Sequence, residues 1–127
     1  MKTLLFIPFL FMCSMVIGQS SKIIGTPIKI GKLEVAEYDF PKTMKWNDAK
    51  IACAKLLGGG VWRLPTKDEL NLMYQYKDEI GGFSSNNTYW SSSETDNGGR
   101  WTQSFDYGWQ SSGFIFGTAS VRAVRSL

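Results

Sequence analysis

The chain has 127 residues, a formal net charge of +3, no histidine and two cysteines. Without histidine there is no Ser-His-Asp or Cys-His nucleophile system and the commonest zinc ligand is missing. So small a charge argues against a surface that tracks phosphates, and therefore against a nucleic-acid partner.

Met1-Lys2 supplies one positive charge, Leu4 to Phe11 is an almost unbroken apolar run, and Val16-Ile17-Gly18 precedes the polar Gln19-Ser20-Ser21. This is the three-part pattern of a secretory signal peptide over residues 1–18. Cleavage after Gly18 leaves 127 − 18 = 109 residues, one domain, with a charge of 13 − 11 = +2. The apolar run is shorter than the ~20 residues of a spanning helix and no later stretch comes close, so no transmembrane segment is expected in the exported chain. Cys13 leaves with the leader, Cys53 stays alone, and no intrachain disulfide can form. Leu10-Phe11-Met12 lacks the small residues that precede a lipidated cysteine, which argues against an anchor at Cys13. The expected location is the periplasm or the cell exterior.

Residues 19–30, with Ile23, Ile24, Ile28 and Ile30 around Pro27, read as a lead-in segment. Lys29 to Glu37 reads as a first strand, with Leu33 and Val35 at period two against Glu34 and Glu37. From Trp46 the period becomes helical: Trp46, Ala49, Cys53, Leu56 and Leu57 share one face, and Gly58-Gly59-Gly60 ends the helix. On that stripe Cys53 reads as a small core residue.

Thr66, with Glu69 three residues on, forms a capping box. It starts a second helix whose buried stripe is Leu70, Met73, Tyr74 and Tyr76, closed by Gly81-Gly82. The composition then shifts. Residues 81–117 hold nine aromatics, eight serines and seven glycines, a mixture that suits short strands and tight turns. Tyr89–Glu94, Trp101–Phe105, Gly113–Phe116 and Ser120–Arg125 read as four strands, with turns at Asp96–Gly99 and Asp106–Gly108. The fold class expected is α+β: an N-terminal strand, two helices, then a small irregular antiparallel sheet of about four to five strands.

Trp46 with Ala49 and Cys53, Trp62-Arg63-Leu64-Pro65-Thr66 with Glu69-Leu70, Tyr89-Trp90-Ser91-Ser92-Ser93-Glu94, Trp101 with Phe105, and Val121-Arg122-Ala123-Val124-Arg125 resemble the Lcl C-terminal domain. This is a bacterial domain of unknown function first noted at the end of a collagen-like adhesin. The resemblance covers residues 31–127 in order. It implies a C-type-lectin-like fold, distantly shared with formylglycine-generating enzymes, in which the first and last strands pair, two helices flank them and a later irregular sheet presents the ligand surface. The enzyme analogy fails because those enzymes need cysteines in their late portion, and none follows Cys53.

Trp46-Asn47-Asp48 has the letters of a lectin calcium tripeptide but opens a helix, so no cofactor is expected. Glu94, Asp96 and Asn97 are the one candidate cluster for a weak ion. A hydrolase would have to use late acids such as Glu94 and Asp106. Arg63, Arg122 and Arg125 read as partners of acids or covers of apolar surface. Asn86-Asn87-Thr88 spells a glycosylation acceptor and marks a loop.

The candidate binding residues are Asp106, Tyr107, Trp109 and Gln110. Rigid aromatics among small polar residues are what binding loops use. A sugar would stack on Trp109 or Tyr107 while Gln110 and Asp106 bond its hydroxyls; alternatively, both rings cap the small sheet. The sequence thus points to an exported, non-enzymatic binding module whose partner is a glycan or cell-surface ligand, with a structural or protein-interaction domain of the adhesin or envelope type as the alternative.

Overall fold

Gly31 and Lys32 divide the first predicted strand in two. In the computed structural model, which describes residues 20–58 and 60–127, Gly31 adopts φ +59° and turns the chain back on itself. Strand β1 (Ile28–Ile30) therefore pairs antiparallel with β2 (Leu33–Val35), Ile28 opposite Val35 and Ile30 opposite Leu33. The single strand expected over Lys29–Glu37 is a hairpin, because only that turn lets Leu33 and Val35 point inward while β1 covers their edge. The signal peptide expected at 1–18 lies outside the described residues.

A two-residue strand β3 (Met44–Lys45) leads into α1 (Trp46–Ala54), which buries Trp46, Ala49 and Cys53. The predicted stripe ends sooner than its spacing suggested. A 3-10 turn over Leu56–Gly58 keeps Leu56 buried, while Leu57 takes φ +56° and swings out to 59% exposure. Helix α2 (Lys67–Gln75) starts at the expected capping box: Thr66 Oγ1 accepts from Glu69 N, and Glu69 Oε1 accepts from Thr66 N. It buries Leu70 and Met73; Tyr76 lies beyond its end and is exposed, so it does not belong to the stripe. A short α3 (Lys77–Ile80) ends at Gly81.

Strands β4 (Thr88–Glu94), β5 (Arg100–Ser104) and β6 (Gln110–Gly113) form an antiparallel meander in that order. The predicted strand Gly113–Phe116 is displaced toward the N-terminus. Ser104 N donates to Trp109 O at 2.8 Å and sets Gln110–Gly113 opposite Arg100–Gln103, so Phe114–Phe116 falls into the following turn. Strand β7 (Thr118–Ala119) pairs with β3, and β8 (Val124–Ser126) pairs with β2, Val35 opposite Val124. The residues between β7 and β8 are not a continuous strand; Ser120, Val121 and Ala123 accept from Trp90, Phe40 and Ala36 at 3.0–3.1 Å.

The described residues thus build a mixed α+β unit of three small antiparallel sheets and few helices. Two apolar clusters hold it. One joins α1 to Trp62, Leu64, Trp90 and Val121; the other joins α2 to Val35, Tyr89, Phe105 and Val124.

Candidate functional site

The β5–β6 turn carries the residues that the sequence singled out. Ser104 organises it: its carbonyl accepts from Gly108 N at 2.8 Å, and its hydroxyl accepts from Asp106 N and Tyr107 N at 3.2 and 3.3 Å. Gly108 sits at φ +83° with Tyr74 directly beneath; a Cβ there would lie 2.5 Å from the Tyr74 ring. The turn is thereby pressed onto α2, and the rings on either side of Gly108 are thrown outward.

Those rings, Tyr107 and Trp109, are 67% and 71% exposed and stack on one another with centroids 5.0 Å apart and planes 24° from parallel. Offset stacking stabilises each ring against the other without core burial. The result is a two-ring apolar surface held by a short turn. Asp106 is exposed beside it.

Gln110 is placed differently. Its Nε2 donates to the Lys67 carbonyl at 3.0 Å and to Gln103 Oε1 at 3.3 Å, while buried Gln103 donates to Asn71 Oδ1 and the Gly108 carbonyl. Its amide N–H groups tie β6 to the start of α2. Tyr107, Trp109 and Asp106 thus share one exposed turn, and Gln110 is its anchor. The capping of α2 and the extended β6 explain why the four are neighbours in space as well as in sequence.

The other polar candidates are engaged in the scaffold. Arg63 grips Glu69 with both terminal nitrogens at 2.6 and 2.9 Å and also donates to Ser126 Oγ at 2.8 Å. The Arg63 guanidinium, followed by the Thr66 N–H, holds the Glu69 carboxyl below the usual range although its burial works the other way. Arg125 donates to both Glu34 oxygens at 3.1 and 3.2 Å. Arg122 is fully buried and donates to Asp39, Ala36 O and Gly81 O, with its guanidinium 4.1 Å from the Phe83 ring centroid. Tyr89 donates its hydroxyl to the second Asp39 oxygen, and burial, followed by that bond, raises its pKa. Burial alone pushes the Cys53 thiol up to about 12.

Glu94 pairs with Arg100 at 3.5 Å at one end of β5, whereas Asp106 follows the other end. Asn97 Oδ1 accepts from Thr95 and Ser112, and no group of three or more His, Cys, Asp or Glu gathers among the described residues. Asn86 lies in an exposed turn.

Sequence reasoning missed a second exposed pair. Phe114 and Phe116, read as strand, are 84% and 77% exposed and border a 330 Å³ concavity with Asn97, Gly99 and Ser112. The signal was the Gly113 before them, whose missing side chain makes room for Trp90 and Thr102 and so fixes the end of β6. A 610 Å³ groove between the helical turn at 20–24 and α1, walled by Ile23, Tyr38, Phe40 and Leu56, is chiefly apolar. Among the described residues its one carboxylate, Asp39, already has both oxygens engaged.

The profile of the Lcl C-terminal domain matches residues 25–125. No curated protein matches the chain.

Proposed function

The chain belongs to the Lcl C-terminal domain family, and from that premise we propose that it is an exported, non-enzymatic binding module with a C-type-lectin-like fold that takes a glycan on the Tyr107–Trp109 surface. The observation that carries this reading is the pair itself: two large rings, stacked and about two-thirds exposed, on a turn fixed from below. An isolated exposed ring needs no explanation, but a preorganised pair presents apolar area at little entropic cost to a ligand. A sugar ring lays its apolar face on Trp109 or Tyr107, and the Asp106 carboxylate accepts from its hydroxyls. Gln110 contributes its carbonyl oxygen and the position of β6.

Pairing of β2 with β8, and the irregular later meander, agree with the arrangement that C-type-lectin-like folds share. Export rests on the leader pattern of residues 1–18. A second reading, recognition of a protein on the cell surface or envelope, draws on the exposed Phe114 and Phe116. A glycan array probed with the purified chain separates the two. Defined sugar spots support the first, and silence on the array together with capture of a specific protein supports the second.

A further inference from the structure

Strand β6 is the outer strand of its sheet, and its free edge carries no charge or proline. Among the described residues it bonds to β5 alone. The Trp109 carbonyl accepts from Ser104 N, and the Ser111 carbonyl accepts from Thr102 Oγ1, so Trp109 and Ser111 face β5. Because successive residues turn their backbone groups to opposite edges, the N–H and C=O of Gln110 and Ser112 face outward. Neither has a backbone partner there among the described residues. Natural sheets guard such edges by keeping them very short or with lysine, proline or inward charge; β6 has four residues. Here the fifteen residues from Tyr107 to Val121 contain neither a charge nor a proline, and exposed aromatic residues stand at both ends of the strand.

We propose that β6 pairs with β6 of a second copy of this chain, antiparallel about a twofold axis at Ser111. The register follows from which groups are free. Gln110 exchanges two hydrogen bonds with Ser112 of the second copy, Ser112 does the same with Gln110, and Ser111 lies opposite its own counterpart. That alignment sets Trp109 opposite Gly113 at each end, a large ring against a glycine, with Phe114 in the turn just beyond. A twofold axis makes the surface self-complementary, and the uncharged stretch meets its copy without repulsion. The strand joins at the edge and leaves both sheet faces open, so the Tyr107–Trp109 pair of one copy becomes the neighbour of Phe114 of the other. A second copy is favoured over a foreign strand because it alone supplies Gly113 opposite Trp109 at both ends of the pairing.

The inference is independent of the glycan reading, since it is measured without ligand. The chain, expressed from its full sequence and purified after export, is followed by sedimentation velocity over a concentration series from low micromolar to millimolar. A reversible monomer–dimer equilibrium is expected. Ser111 is exposed, so Ser111→Lys and Ser111→Glu preserve the fold, which circular dichroism checks. Each places like charges face to face on the axis, which is destabilising. Each variant alone is expected to be monomeric, and an equal mixture of S111K and S111E to dimerise again. A wild-type chain that stays monomeric throughout, a dimer indifferent to both substitutions, or a mixture that fails to dimerise would each overturn the pairing.

Discussion

Asp39 and Arg122 meet at 2.7 Å, Oδ1 to Nε, across 83 positions of sequence, with the arginine side chain wholly excluded from solvent. The guanidinium also reaches the carbonyls of Ala36 and Gly81, and the second carboxylate oxygen takes the Tyr89 hydroxyl. One buried cation thereby ties the segment after β2, the end of α3, β4 and the approach to β8. Arg122→Ala leaves Asp39 Oδ1 and two carbonyls without the arginine donor. Removing one member of a buried pair costs about 3–5 kcal/mol, so chemical denaturation should show a loss of that size, with Arg122→Lys recovering only part of it.

The Arg63–Glu69 pair predicts an acid-sensitive contribution. Glu69 has a folded-state pKa lowered chiefly by its bond to Arg63. Its stabilisation is therefore present above the unfolded-state value of a glutamate and is lost as pH falls through the lowered folded value. Glu69→Gln retains the backbone cap and removes the charge. The side chains are 36% and 26% exposed, so solvent screening limits the effect to about 0.5–1 kcal/mol at pH 7. That difference from wild type should shrink toward zero when denaturation is repeated well below the ordinary carboxylate range; a difference unchanged with pH would contradict the assignment.

Gly108→Ala tests the seat of the turn. The position combines φ +83° with a seat so close to α2 that an added Cβ would lie 2.5 Å from the Tyr74 ring. A loss of more than ~1 kcal/mol is expected, together with a changed near-ultraviolet signal from Tyr107 and Trp109 as the turn lifts from α2.

Cys53 is buried on the inner face of α1, with its thiol pushed up to about 12. Since the thiolate is the reactive form, iodoacetamide at pH 8 should leave Cys53 unmodified in the native chain and modify it in denaturant. Peptide mass mapping reads the outcome at that residue alone. Rapid native alkylation would mean that α1 opens locally.

Local chemistry was legible in the sequence where a short segment decides its own conformation. Thr66 and Glu69 announce the start of α2 because both partners of the box lie within one turn. Trp62, Trp90 and Cys53 are core as their surroundings suggest, and the Asp96–Gly99 and Asp106–Gly108 turns stand where their residues place them. What depends on distant pairing was not legible. Leu57 fits the helical stripe by spacing, yet the chain leaves the helix before reaching it. Phe114-Ile115-Phe116 has the composition of a strand, but the bond from Ser104 to Trp109 spends the register on Gln110–Gly113. Gln110 was legible as part of the turn, but its N–H bond to the Lys67 carbonyl depends on the start of α2, which is distant in sequence. Nothing in the neighbourhood of Asp39 marks it as the partner of Arg122.

The central claim is that Tyr107 and Trp109 form a ligand surface and not part of the core. The most direct measurement compares wild type with the Tyr107→Ala/Trp109→Ala double variant on the same glycan array, with a thermal midpoint for each. Because both rings are mostly exposed, the account predicts that wild type binds a defined set of sugars, that the variant loses them, and that the midpoint stays within the few degrees expected from losing one aromatic stack of about 0.5–1.5 kcal/mol. Binding retained by the variant, or a midpoint that collapses with it, would contradict the account.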